Sequence, residues 1–445
     1  MAVTTLKSRL LGIALLTSVI LPAGKIAAQA PAGKHLLLKE AVSTAMDNNA
    51  SLKVSGLEAQ IAKSNYRQTD AILLPHVELG YTAMATNNPL NAFGFKLQQE
   101  NVTMADFDPT RLNNPSNSKD FSAKVEVKQP LINVDTYFQR AAARKQKELY
   151  EYKHKRSQEY VQFDVTKAYL TLQLANRSVS VLEESLQNAK RIEANTRRYF
   201  EQGLIKKSDL LNVQVNVATV ESYLTKAKSN VSSASETLAL TMGEPASVIY
   251  NVDSLQLESE TASVATEVSP ARSDLMALKK ASEASSMMVK AAQLSCYPKL
   301  NAFGSYQLND YKMDRFNANS YLVGLKVSWT IFNGLNNYHK INSSKAELEK
   351  VNTQLRQQTD QSQLELNKAH RDRMDLLAEI NRQNVSVGQA EESLRILQDR
   401  YNEGLVSTTD LLMAHSQLLQ QKLSLAQAIY GNNLTLAYLV FLGAR

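Results

Sequence analysis

Two aspartates stand at matching places in this sequence. Asp209 and Asp410 each lie six residues after a glycine, Gly203 and Gly404, and a tyrosine, Tyr401, comes one helical turn before the second glycine. Carboxylates and a phenol can exchange protons, attract cations or cap helices. Covalent catalysis finds no support around them. The six histidines, His35, His76, His154, His339, His370 and His415, fall into no metal-ligand spacing such as H-E-x-x-H. No G-x-S-x-G, phosphate-binding loop or dinucleotide glycine motif is present. Neither an enzyme nor a cofactor is expected.

The elements that carry these residues are two copies of one pattern. From Tyr199 the chain reads Y-F-E-Q-G-L-I-K-K-S-D-L-L, and from Arg400 it reads R-Y-N-E-G-L-V-S-T-T-D-L-L. Phe200 aligns with Tyr401, Leu204 with Leu405 and Asp209 with Asp410, without a gap. Glycine accepts the left-handed conformation that ends a helix. Ser208/Asp209 and Ser407 to Asp410 are placed to receive the free N–H groups of a new helix, and Ser407 with Asp410 has capping-box spacing. Each copy therefore reads as a hairpin between two helices.

The helices entering the hairpins are long. Val161, Val165, Ala168, Leu172 and onward to Ala189 step by four and three, as do Leu366, Ala369, Ile380, Ala390, Leu394 and Tyr401 in the second copy, where Arg373 and Gln383 are the polar exceptions. Sustained steps of three and four make a coiled-coil seam. At 1.5 Å per residue, about 65 residues give a rod of ~100 Å. Elsewhere the period is two: Val77 to Ala83 and Phe121 to Val127 alternate apolar with polar or small residues, Leu300, Ala302, Gly304, Tyr306 and Leu308 form one apolar face, and Tyr321, Val323, Leu325, Val327 and Trp329 form another. An Asn- and Pro-rich loop separates the first pair, and Pro75 and Pro298 stop the helices before each pair. The order helix, strand, strand, long helix, hairpin, helix thus occurs twice. Residues 29–243 form the first repeat, 244–270 an acidic equatorial connector and 271–445 the second repeat.

Lys7 and Arg9 precede the apolar run Leu10 to Leu21 and a stretch of small residues, an export signal over residues 1–28 with cleavage placed after Ala28. No later stretch is expected to reach the ~20 apolar residues of a membrane helix. The lone cysteine, Cys296, permits no intramolecular disulfide. The net charge of +7 is modest, and Lys and Arg alternate with Glu and Asp along helices, a solvated surface that speaks against nucleic acid as a partner.

Four alternating strands, each long enough to cross a membrane when tilted, cannot close a barrel alone, because about eight are needed. A closed barrel satisfies strand edges in lipid, so the strands must be shared between chains. A trimer would provide twelve. Tyr81, Phe121, Tyr306, Tyr321 and Trp329 could supply an aromatic girdle for such a barrel. The competing reading is a soluble periplasmic coiled-coil scaffold or adaptor protein, extractable without detergent and free of channel conductance.

With its two in-register aromatic-x-x-Gly-Leu hairpins and their aspartates, and with the strand exits Pro130-Leu131 and Ile331-Phe332 and the end Leu439 to Gly443, the sequence resembles the TolC-like outer-membrane efflux proteins over both halves. The resemblance implies a mainly α protein with a small β part. Its long antiparallel coiled-coil helices would form an α-helical barrel, and its four strands per protomer would join a trimeric twelve-stranded β-barrel in a Gram-negative outer membrane. It implies a passive exit duct for efflux or type I secretion, with hairpin tips Gly203, Leu204, Gly404 and Leu405 docking a periplasmic adaptor (membrane fusion) protein and an inner-membrane RND or ABC-type transporter. Asp209, Tyr401 and Asp410 match the gate residues of that family. Two positions depart from its pattern: Val406 stands where some members carry a basic residue, and Met413 where they carry a second gate carboxylate. The closing network implied here is accordingly thinner, and capping alone remains the other reading of the aspartates.

Overall fold

Short strand β1 (Lys34–His35) leads into α1 (Leu38–Asn48) and α2 (Ala50–Gln68) in the computed structural model, which describes residues 34–246, 248–258 and 266–443. The export signal over 1–28 and part of the connector lie outside the described residues. The helical pattern anticipated from Leu36 to Ile72 is interrupted at Asn49. Its side chain accepts the N–H groups of Ser51 and Leu52, capping α2, while its amide donates to Thr241 O at 2.7 Å. A polar residue that satisfies a fresh helix start favours the break over an uninterrupted helix.

Strand β2 (His76–Thr86) follows. The segment read as a plain polar loop contains α3 (Pro89–Gln98) and α4 (Pro109–Asn113), each with proline in the first turn and an Asn or Asp cap, Asn88 and Asp108. Strand β3 (Ser118–Ile132) then passes into α5 (Val134–Glu201), whose 68 residues span ~100 Å. Helix α6 (Lys207–Met242) returns along α5 for about half that length. It ends at Gly243, which has a φ of 76° and lies so close to Asn48 that a β-carbon would sit 2.6 Å from the Asn48 carbonyl oxygen. No other residue fits there without moving the chain.

Strand β4 (Tyr250–Asn251) pairs in parallel with β1. The second half repeats the order: α7 (Ser273–Leu294), β5 (Lys299–Asp310), β6 (Ala318–Ser328), α8 (Asn336–Asn402) and α9 (Thr408–Gly443). Helix α5 packs on α2, α6, α7 and α9, and α8 packs on α7 and α9. Along the seams Val165, Leu172, Leu366 and Ile380 are fully buried, as the three–four stepping requires. By length and composition α9 could cross a membrane, against the expectation that no stretch would. One stripe of its apolar side chains is taken up by helix packing: Leu411, Ala414 and Leu418 meet Ile192, Leu394 and Tyr401, and Leu439 and Leu442 meet Leu366 and Ala369.

The four long strands form an antiparallel sheet in the order β2-β3-β5-β6, so that the two hairpins of the two halves join through β3 and β5. Sheet and helical hairpins occupy opposite ends of α5.

Candidate functional site: hairpin tips and strand face

Both hairpins close by the same backbone device. Leu204 N–H bonds Tyr199 O at 2.9 Å and Gly203 N–H bonds Phe200 O at 2.9 Å; Leu405 N–H bonds Arg400 O at 3.0 Å and Gly404 N–H bonds Tyr401 O at 3.1 Å. Both glycines have a φ of 75°, and a β-carbon on either would meet nothing, so conformation rather than space requires glycine. The following leucines project into solvent, Leu204 68% and Leu405 71% exposed.

The hairpins differ in how the next helix starts. Ser407 caps α9: its Oγ accepts the Asp410 N–H at 3.2 Å and donates to the Asp410 carboxylate at 2.6 Å. In the first hairpin the corresponding residue is Lys206, which makes no side-chain cap. Ser208 and Asp209 do not provide one either, because both lie inside the helix rather than before it. Asp410 is therefore tied to its helix start, whereas Asp209, half-buried, makes no side-chain hydrogen bond among the described residues.

Tyr401 is buried within the protomer, 5% exposed. Its hydroxyl lies 3.0 Å from Thr196 Oγ1 on α5 and 3.2 Å from Thr408 Oγ1 on α9, and its ring packs on Tyr199 at 5.7 Å between centroids. Tyr199 in turn donates to Asn402 O at 3.2 Å. The structure thus brings Tyr401 together with Thr196, Tyr199 and Thr408, and not with either aspartate carboxylate. Sequence reasoning missed Thr196; its signal is its place two turns before Gly203 on the buried seam of α5. Farther along α9, His415 is buried with Nε2 3.1 Å from both Ser185 O and Ser185 Oγ, a second polar tie between α5 and α9 that no motif announced.

At the other end the register places the apolar residues on one continuous face. Val77 pairs with Val127, Leu79 with Val125, Val125 with Tyr306, and Tyr306 with Tyr321. Leu79, Tyr81, Val323, Leu325 and Val327 are all exposed. The opposite face carries Glu78, Lys124, Glu126 and Lys128. Among the described residues, strands β2 and β6 each leave one edge unpaired. Of the aromatic residues singled out from the sequence, Tyr306 and Tyr321 face each other directly, while Tyr81 and Phe121 lie toward the loop end, where Phe316 meets Tyr81 edge-on. Trp329 lies at the helix end, donating Nε1–H to Cys296 O at 2.9 Å. Exposed Tyr297 lies in a strand–helix junction and was missed, since it falls within no alternating run, while exposed Phe332 was singled out only as part of a strand exit.

The family model described as outer membrane efflux protein matches residues 41–244 and 267–440. The cation efflux system protein CusC of Escherichia coli O157:H7 is 22% identical over 389 residues, covering 86% of this chain and 80% of CusC. Among solved structures, CusC superposes with a TM-score of 0.80 at 18% identity over 92% of each chain. The CmeC outer membrane channel of Campylobacter jejuni does so with a TM-score of 0.80 at 17% identity, covering 91% of this chain and 85% of that one.

Proposed function

This chain belongs to the outer membrane efflux protein family, and from that premise we propose that three copies close into one passive duct that carries substrate from an inner-membrane RND or ABC-type transporter and a periplasmic adaptor to the exterior. The observation that carries the reading is the four-stranded sheet: one unbroken exposed apolar face, two unpaired edges, and rods of ~100 Å leaving its other end. An apolar face of this extent suits lipid, and a soluble scaffold would leave it in water. Pairing β6 of one protomer with β2 of the next satisfies both edges and gives twelve strands. Tyr81, Phe121, Tyr306, Tyr321 and Trp329 then face lipid, and the repeats 29–243 and 271–445, joined through 244–270, stack their long helices into a tunnel.

The hairpin tips lie at the periplasmic end of that tunnel. Exposed Leu204 and Leu405 beside Gly203 and Gly404 form the adaptor contact, because apolar side chains at a loop tip gain most when a partner covers them. Threefold symmetry gathers the carboxylates of Asp209 and Asp410 around one opening, where they attract cations. Tyr401 acts from behind them, holding the end of α8 to α5 and α9 and so the mouth in its closed form. The duct performs no chemistry, and its driving energy comes from the pump. Cysteines scanned in pairs along β2 and β6, such as Leu79→Cys with Val323→Cys, are expected to yield covalent trimers on oxidation in the outer membrane. Absence of any intermolecular crosslink along both strands would overturn the shared barrel.

A further inference from the structure

The segment between β2 and β3 folds back over the sheet. Asp120 is fully buried, and Ser122, Asn309 and Ala318 are 6%, 2% and 1% exposed. By register all four lie on the face opposite Tyr81, Val125 and Tyr306, at the end of the strands remote from the helices. On the same face but toward the helices, His76 and Glu78 are exposed. Burial confined to the outer end needs a local cover, and α3 supplies it by packing on β3 and β6. Gln99, at the end of α3, donates Nε2–H to Lys119 O and to Asp120 Oδ1, both at 2.8 Å. The Asp120 carboxylate also accepts from Asn309 Nδ2, at 3.0 and 3.2 Å.

The covering segment is itself braced. Asn88 caps α3, Phe93 meets Phe107 edge-on at 5.7 Å, and Lys96 bonds Asp106. Hydrogen bonds from Lys96 and Thr103 hold the Asp106 carboxyl down at about 2. In a closed barrel the apolar face meets lipid and the polar face lines the lumen, so whatever covers the polar face lies inside the channel.

We propose that α3 is an inward-folded strap across the outer mouth, held by the Gln99–Asp120–Asn309 latch, and that it sets the size limit for passage at that end. The proposal rests on the shared-barrel reading. Three straps, one per protomer, narrow the opening. Each is fastened by hydrogen bonds to a buried carboxylate, the stronger class of such bonds.

The test is polymer exclusion on purified trimers in planar bilayers, with polyethylene glycols of graded size added on the loop side. Gln99→Ala removes the link between strap and sheet, shifting the fastened-to-free ratio about tenfold, the weight of one hydrogen bond to a charged group. Larger polymers should then enter and lower the conductance. A second variant, with residues 90–113 replaced by a short Gly-Ser linker, should admit them irrespective of the latch, and it carries the same readout if Gln99→Ala fails to assemble. Unchanged polymer cut-offs in conducting trimers of these variants would overturn the strap and leave the channel intact. If the unaltered protein forms neither trimers nor conducting pores, the channel reading falls and the strap with it.

Discussion

At the scale of residues, Asp209 and Asp410, proposed to line the mouth, occupy matching places but are held differently, and that difference can be measured. Asp410→Asn keeps an oxygen that can accept from Ser407, so it removes charge while preserving the helix start. Together with Asp209→Asn it should lower the preference for cations over anions in bilayer recordings, with assembly unaffected. Unaltered selectivity would make both residues structural. Ser407→Ala acts on the cap instead and should cost about 1 kcal/mol of local helix stability, seen as faster amide exchange at the start of α9. Lys206→Ala, at the aligned position where no side chain caps, should cost far less. Tyr401→Phe leaves the Thr196 hydroxyl buried without its tyrosine partner, a loss of about 1 kcal/mol per protomer. The expected readout is more frequent open states, with the ring packing against Tyr199 retained.

At the scale of elements, the sheet-side half of α5 and the middle of α7 are joined by a ring of alternating charge. Lys145 lies 2.8 Å from Glu283 and 3.3 Å from Glu148, and Lys280 lies 3.1 Å from each of the same carboxylates. Burial raises the Glu148 carboxyl, but bonds from Lys280 and Lys145 outweigh it and the net direction is down. The bond from Lys145 is the main cause that lowers Glu283. Depressed carboxyls stabilise the folded state above their ordinary value of 4.5, and that contribution is lost as pH falls through their lower folded values. Burial lowers Lys280, while its two carboxylate partners raise it to a net value above 10.5, so its share is present below 10.5 and fades as pH rises beyond it. The α5–α7 contact should hold constant between about pH 5 and 10, and Lys280→Met should reduce the acid-side change, leaving the part that Lys145 supplies. An acid transition identical in that variant would remove the ring from the account.

The hairpins were the most legible elements, because Gly-Leu followed by Asp recurs in register and the flanking seams run unbroken into each. Strand faces were legible too, since a period of two leaves no freedom once one face is apolar. The break at Asn49 and helices α3 and α4 were not. A cap inside a periodic run changes no period, and α4, five residues long, carries none to detect. The cap at Ser407 was read correctly. Its absence at Lys206 was obscured by Ser208 and Asp209, which have capping side chains one and two residues past the first helical position. Tyr401 was identified by type, but its partners on α5 and α9 are more than a hundred residues away or across a turn, beyond the reach of spacing arguments.

At the scale of the whole molecule, the strands and the hairpin tips proposed to meet the adaptor are separated by ~100 Å of helix, so the two ends can be altered independently. Leu204→Asp with Leu405→Asp should weaken adaptor crosslinking by tenfold or more, on the order of what two apolar anchors contribute per protomer, while membrane insertion stays intact. Retained crosslinking would move the adaptor contact away from the tips. The most direct test of the account is the number of chains in the particle extracted from outer membranes, read by native mass spectrometry. The open edges of β2 and β6 predict three chains that stay together in detergent and aggregate without it. A monodisperse single chain, stable in detergent-free buffer with the amides of β2, β3, β5 and β6 protected from exchange, would contradict it.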